Sequence, residues 1–225
     1  MPIKKAKTGK TIEDFGNQWQ IHGSLRQNHW TSDLMFRDHF PLDFDFSIFG
    51  GKRVLEVGSG SGRILRMLSK YNPKELIGIE PSSGFANLVE NTKDINNLQL
   101  INISGSEFKA DSLDVIISLG VIHHIPNANE VVRNIYDSLA NDGTFIMWVY
   151  GRENNQPYVF CQENTRKLTK LLPDNILNQL SLGVSFLFDL YGVMAKILFF
   201  NKLPLSGYYQ NVYSKCGRRE KIYNF

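Results

Sequence analysis

Hydrophobic positions between residues 51 and 150 fall in short runs that alternate with amphipathic stretches. RVLEVG (53–58) is a β-branched-rich run closed by glycine and reads as a buried strand. RILRMLSKY follows, with Ile64, Leu65, Leu68 and Tyr71 on one helical face. ELIGIE (75–80) reads as a second strand, LQLINI (98–103) as a third and LDVIISLG (113–120) as a fourth. Between the second and third, PSSGFANLVENTKDI opens with serines suited to capping a helix, and Phe85, Leu88 and Val89 share a face. After the fourth, Asn127 and Glu130 have the spacing of a capping box, and Val131, Ile135 and Leu139 form the stripe of a further helix. Asn141-Asp142-Gly143 reads as a turn into a fifth strand, TFIMWVY (144–150). Strands and helices alternating at this spacing predict an α/β fold: a doubly wound, mostly parallel sheet with helices on both faces.

The flanks follow other rules. Residues 1–50 hold Phe15, Trp19, Trp30, Phe36, Phe40, Phe44, Phe46 and Phe49, too many large apolar groups for a disordered leader. They are expected to fold over the larger domain as a lid. After Tyr150 the alternation stops, and residues 152–225 read as mostly helical. The most apolar part is Ile176–Phe200, interrupted by Asp189 and Lys196, without a charge-free stretch long enough to span a bilayer. Core or lid helices are the first expectation for it, and a membrane-surface or lipid-substrate face the second.

Composition narrows the classes. The chain has 225 residues, 42% hydrophobic and 21% charged, as in ordinary globular proteins. A net charge of +3 is too small to point to nucleic acid. Cys161 and Cys216 lie far apart without a metal-binding motif, and the N-terminus shows no apolar signal-peptide region. Both fit a cytoplasmic protein.

The strongest local motif is LEVGSGSGR. Gly58, Gly60 and Gly62, with Ser59 between the first two, stand between the first strand and the first helix. Glycine there permits a sharp turn and close approach to a ligand. A Walker loop needs Gly-Lys-Ser/Thr, which is absent, and a dinucleotide loop needs its third glycine where Arg63 stands. What remains is G-x-G-x-G, preceded by an acid at Glu56 and followed at the end of the second strand by Glu80 and Pro81.

This combination resembles motif I and the following acidic motif of the class I S-adenosylmethionine-dependent methyltransferases. SLGVIHHIPN (118–127), with Gly120, His123 and His124, is similar to the family's fourth-strand motif, and the resemblance covers about residues 50–151. It implies a Rossmann-like core at 51–151 and S-adenosylmethionine as cofactor, held by Glu56, Gly58, Ser59, Gly60, Gly62, Glu80, Pro81 and Gly120. The cofactor's net charge of about +1 suits a carboxylate beside the loop. Glu80 is implied to bind the ribose, and Gly120 with its neighbours to wall the methionine end. The Asp that many members carry after the third strand is missing, with Asn102 and Ser104 as substitutes. FGNQW (15–19), FRDHF and VYGREN (149–154) are similar to methyltransferases of polysaccharide and natural-product pathways. The resemblance therefore implies a small-molecule or sugar-linked acceptor, with no nucleic acid expected. A peripheral membrane association or a lipid-linked substrate remains open, as does the oligomeric state.

The acceptor should arrive over the C-terminal strand ends, where His123, His124, Tyr150 and Glu153 gather and where Trp19 or Trp30 can close from the leader. No catalytic residue is singled out. Adjacent histidines are expected to project apart, which argues against a metal. Two rivals stand: a nicotinamide-dependent dehydrogenase, and a non-catalytic cofactor-binding or membrane-surface adaptor. Family sheets usually have seven strands, and only five are readable. The chain is thus expected either to be truncated or to carry a helical insertion whose closing strands lie beyond Phe225.

Overall fold

The computed structural model describes residues 12–17, 19–20, 36–125, 127–151, 164–165, 169, 172–197, 206–211, 213–218 and 221. The chain divides into two compact units, one of residues 1–27 and 31–150, the other of 28–30 and 151–225.

The first unit is built on five strands: β1 (Arg53–Val57), β2 (Glu75–Ile79), β3 (Leu98–Ile101), β4 (Leu113–Leu119) and β5 (Leu139–Trp148). They lie side by side in the order β3-β2-β1-β4-β5, and every neighbouring pair is parallel. Parallel pairs need crossovers, and helices α1 (Arg63–Ser69), α2 (Phe85–Thr92) and α3 (Ala128–Ser138) supply them. The strand order reverses direction between β1 and β4, so the loops leaving these strands flank the crevice where α/β sheets bind ligands.

Alternation along the strands separates two cores. Val54, Val115, Ile117 and Leu76 pack with Ile64, Leu65 and Leu68 of α1 and Leu88 of α2. Leu55, Val57, Ile77 and Ile79 pack with Val131 and Ile135 of α3 on the other side. Burial of each such side chain contributes about 1.5–3 kcal/mol. The leader joins the first core. Phe36, Phe40 and Phe49 are buried in it, with Phe44 and Phe46 packed alongside and the Phe46 ring stacked on Tyr71 at 5.3 Å.

Three local expectations need correction. β5 begins at Leu139, on what reads in sequence as the end of a helical stripe, and Asn141-Asp142-Gly143 lies within the strand. Its pairing steps from Leu113↔Leu139 to Val115↔Thr144, so β5 carries extra residues opposite β4, as in a bulge. At Gly143 a Cβ would come within 2.9 Å of the Leu113 carbonyl oxygen, leaving no room for a side chain. The capping box at Asn127 does not form, because no side-chain cap bond is made and the Glu130 amide donates to the Asn127 backbone carbonyl at 3.0 Å. Val89 is exposed rather than on the buried face of α2, while Ser82 does serve the helix entry by accepting from the Gly84 amide at 3.2 Å.

The second unit contains helix α4 (Asp174–Ile197), the short helix α5 (Ser206–Asn211) and a 3₁₀ turn at Tyr213–Lys215. No strand occurs among its described residues. α4 departs from the expected core or lid helix. Its large apolar side chains are mostly exposed, and its 19-residue stretch Asn175–Val193 is long and apolar enough to cross a membrane by length and composition. The one charge in that stretch, Asp189, pairs with Lys221 at 2.7 Å.

Candidate active site

The site grows out of the register of β1 and β2. Val57 pairs with Ile79, and the chain then turns so that the Gly58 and Ser59 amides both donate to the Ile79 carbonyl, at 2.9 and 3.0 Å. The three loop glycines take φ of +79°, +52° and +85°, a region that L-residues with side chains avoid. A Cβ on Gly58 would strike Val121 at 2.6 Å, and one on Gly62 would strike Thr92 and Leu88 at 2.6 and 2.8 Å. At these two positions the chain's own packing already fills the space that sequence reasoning reserves for a ligand. At Gly60 too the space is taken by the chain itself, here by the indole of Trp19 from the leader, 2.8 Å from such a Cβ.

Glu80 sits at the tip of β2, 6% exposed. One carboxylate oxygen accepts from the Gly60 amide at 2.8 Å and the other from the Ser82 amide at 3.0 Å. The residue thus clamps the glycine loop to the start of α2. Pro81 follows it, half-buried, and sets the turn toward α2. Asn102 donates to the Glu80 backbone carbonyl at 2.7 Å, and the Ser104 hydroxyl donates to Glu107 at 2.8 Å. The two substitutes for the missing Asp are therefore engaged in holding the loops after β2 and β3.

Glu56 lies at the far end of β1 on the α1 side, 3% exposed. Burial pushes its carboxyl up to about 8, against the pull of the Ser59 hydroxyl and the nearby Arg63 charge. Its Oε2 makes no hydrogen bond among the described residues. A buried, unsatisfied carboxylate oxygen is costly and calls for a partner. A cationic ligand seated at the glycine loop would supply one, so the donor set fits S-adenosylmethionine with its ammonium and sulfonium.

The leader closes over this loop. Trp19 lies over Gly60 and Gly84, and its backbone carbonyl accepts from the Asn87 side chain at 2.7 Å. A Cβ on Gly16 would run into Ser83, so the leader approaches the start of α2 closely.

Beyond β4, Gly120 takes φ +75° and donates its amide to the Trp148 carbonyl at 2.9 Å. His123 and His124 form part of the 3₁₀ turn Ile122–His124. Their ring centroids lie 4.0 Å apart, so the expectation that they project apart is wrong. The single turn of 3₁₀ backbone brings both rings to one side. Tyr150 stands 4.7 Å from His123, Trp148 5.1 Å from Tyr150, Phe15 5.0 Å from His124 and His39 5.0 Å from Trp148. These six rings form an aromatic wall over the C-terminal ends of β4 and β5. Partial burial holds the His123 imidazole below its usual pKa, favouring the neutral form.

Three of these groups, Phe15, His39 and Arg63, carry no local signal in the sequence for a place in the site. Phe15 and His39 lie far from the strands in sequence, and only leader docking brings them in. Arg63 follows the last loop glycine, and nothing in the string shows that its charge would act on Glu56. Trp30 and Glu153 lie outside the described residues.

Residues 55–145 match the sequence profile of a methyltransferase domain. Over 167 residues the chain is 25% identical to a tRNA U34 carboxymethyltransferase of Sulfurimonas denitrificans, covering 68% of this chain and 54% of the relative. Over 136 residues it is 26% identical to a malonyl-[acyl-carrier protein] O-methyltransferase of Bacillus cereus, covering 60% and 49%. The chain thus spans about half the length of these curated relatives. Among solved structures, the DhpI-SAM-HEP complex superposes with a TM-score of 0.50 at 14% identity, covering 68% of this chain and 69% of that one.

Proposed function

We propose that this chain, which carries a class I S-adenosylmethionine-dependent methyltransferase domain, transfers a methyl group to a small-molecule or sugar-linked acceptor in the cytoplasm. The observation that carries the reading is the orphaned, buried Oε2 of Glu56 beside the glycine loop. S-adenosylmethionine supplies a methyl group already activated on a sulfonium.

The chain's own part is to bind, orient and exclude water. Glu56 and the Gly58–Gly62 loop hold the methionine end, with Gly120 as its wall. Glu80, fixed by the Gly60 and Ser82 amides, presents its free lone pairs to the ribose hydroxyls. Pro81 and Ser59 keep the two loops in register. Holding reactants in line is worth up to about 7–11 kcal/mol of barrier in well-oriented systems. His123, kept neutral, accepts a proton at one ring nitrogen when the acceptor is a hydroxyl.

The relatives are named for tRNA and for acyl-carrier protein. A small acceptor is favoured here by the aromatic wall and by charge. The whole chain carries a net charge of only +3, too small an electrostatic footprint to point to a phosphate backbone.

Titration calorimetry with S-adenosylmethionine and its demethylated product tests the reading. Saturable binding to the wild type with loss in Glu80→Ala is expected, and no heat at about millimolar ligand overturns it. A nicotinamide titration separates the dehydrogenase rival, and turnover against small hydroxyl acceptors separates the non-catalytic one.

A further inference from the structure

Helix α4 is built inside out for a protein in water. Its buried polar side chain, Ser185, and its half-exposed Asp189 both find partners within the second unit. Ser185 is 6% exposed and shares hydrogen bonds with the fully buried Tyr213, whose hydroxyl lies 3.0 Å from the Ser185 hydroxyl and donates to the Ser185 carbonyl at 2.7 Å. Four residues on, Asp189 accepts from Lys221 at 2.7 Å, and the Lys221 ammonium lies 4.8 Å over the Tyr213 ring. Ser181, Ser185 and Asp189 recur every four residues and so share one stripe.

The opposite side is apolar and open. Ile176, Leu180, Leu187 and Leu190 follow the same helical spacing, flanked by Phe186 and Val193, and all six are exposed, Phe186 at 69%. Polar exceptions on that side, Asn175 and Gln179, fall in the first turns of the helix, at one end of the apolar stretch. A water-soluble helix shows the reverse arrangement. Where the solvent is hydrocarbon, polar groups must be satisfied internally and apolar ones face outward, as here.

Length and charge point to the same occupant. The 19-residue stretch Asn175–Val193 is apolar enough on average to cross a bilayer and carries one charged residue, Asp189. At 1.5 Å per residue it reaches about 28 Å, close to the ~30 Å hydrocarbon thickness of a bilayer. Residues 151–225 carry ten Lys and Arg against five Asp and Glu, a net +5, beside the net −2 of residues 1–150. A basic surplus confined to the segment holding the apolar helix matches an anionic headgroup surface.

We propose that α4 seats its outer face in the hydrocarbon of an anionic membrane and anchors the chain there. The proposal stands apart from the methyl-transfer reading, since neither its argument nor its test uses the cofactor.

Vesicle flotation of the full chain tests it, with phosphatidylcholine vesicles and with phosphatidylcholine–phosphatidylglycerol vesicles. The wild type is expected to float with the anionic vesicles and to remain on them through 1 M salt and alkaline carbonate. In the variant Leu180→Gln/Leu187→Gln/Leu190→Gln, the floated fraction should fall about tenfold, with circular dichroism unchanged. Flotation that salt reverses would leave surface charge alone and overturn insertion. Absence of flotation with either vesicle overturns it too, as does a dimer that the triple variant converts to monomer, because a second copy would then cover the face. The wild-type arms decide the question even if the triple variant does not fold.

Discussion

The indole of Trp19 rests on the backbone of Gly60, so closely that a Cβ at Gly60 would lie 2.8 Å from the indole Cε2. A leader residue is thereby placed over the loop that also donates to Glu80. Trp19→Ala removes this cover and admits water to the Glu80 carboxylate. The expected outcome is a loss of cofactor affinity, because the loop that holds Glu80 is no longer covered. Calorimetry on the variant checks it, and unchanged affinity would limit Trp19 to packing. Gly60→Ala should fare worse in thermal stability, because it combines the clash with φ +52°.

Glu56 links stability to pH. Its carboxyl is raised from 4.5 to about 8, so between those values the folded state holds a proton that the unfolded state has lost. The unfolded chain binds fewer protons, and the stability contribution falls as pH rises. It is fully present below about pH 4.5 and gone above about pH 8. The melting temperature of the ligand-free wild type should decline across that window, and Glu56→Gln should flatten the decline. A parallel decline in both proteins would exclude Glu56 as its source.

Glu80→Ala orphans two backbone amides at once, those of Gly60 and Ser82. Hydrogen bonds to a charged group contribute about 1.5–3 kcal/mol each. The expected outcome is a loss of at least about 2 kcal/mol in chemical denaturation together with loss of cofactor binding. Glu80→Gln, which keeps one acceptor, should fall between the variant and the wild type.

The two histidines should separate by function. His123→Ala is expected to lower turnover by about 10²-fold or more with cofactor affinity intact, as for loss of a general base. His124→Ala, whose ring packs on Phe15, should change acceptor KM more than kcat. Equal, small effects from both would reduce the pair to wall-forming residues. The pH–rate profile of the His124 variant should keep the acid limb that the His123 variant loses.

Much of the first unit was legible from hydrophobic pattern alone. Each of the five strands lies within or overlaps the run that predicted it, because short β-branched runs bounded by glycine admit few other structures when helices separate them. The exception, β5, starts early because its pairing with β4 takes up extra residues near Gly143, a three-dimensional event without a local signal. The glycine–acid motif was legible as well, since positive φ and a strand-end carboxylate depend on residue type and spacing. What the individual glycines accommodate was not legible: Val121, Leu88, Thr92 and Trp19 reach them from elsewhere in the chain.

The sequence by itself determined the sheet, its parallel sense and the positions of Glu56 and Glu80, because periodicity and backbone sterics act locally. Tertiary structure decided the rest. It buried Glu56 with its Oε2 left without a hydrogen bond among the described residues, because desolvation depends on what packs around a side chain and not on its neighbours in the string. It gathered Phe15, His39, His123, His124, Trp148 and Tyr150 into one wall, because leader docking joins distant segments. It also buried Ser185 of α4, paired Asp189 with Lys221 and left Leu180, Leu182, Leu187 and Leu190 exposed. An apolar run gives length and composition, and only the partners Tyr213 and Lys221 settle which stripe faces the protein.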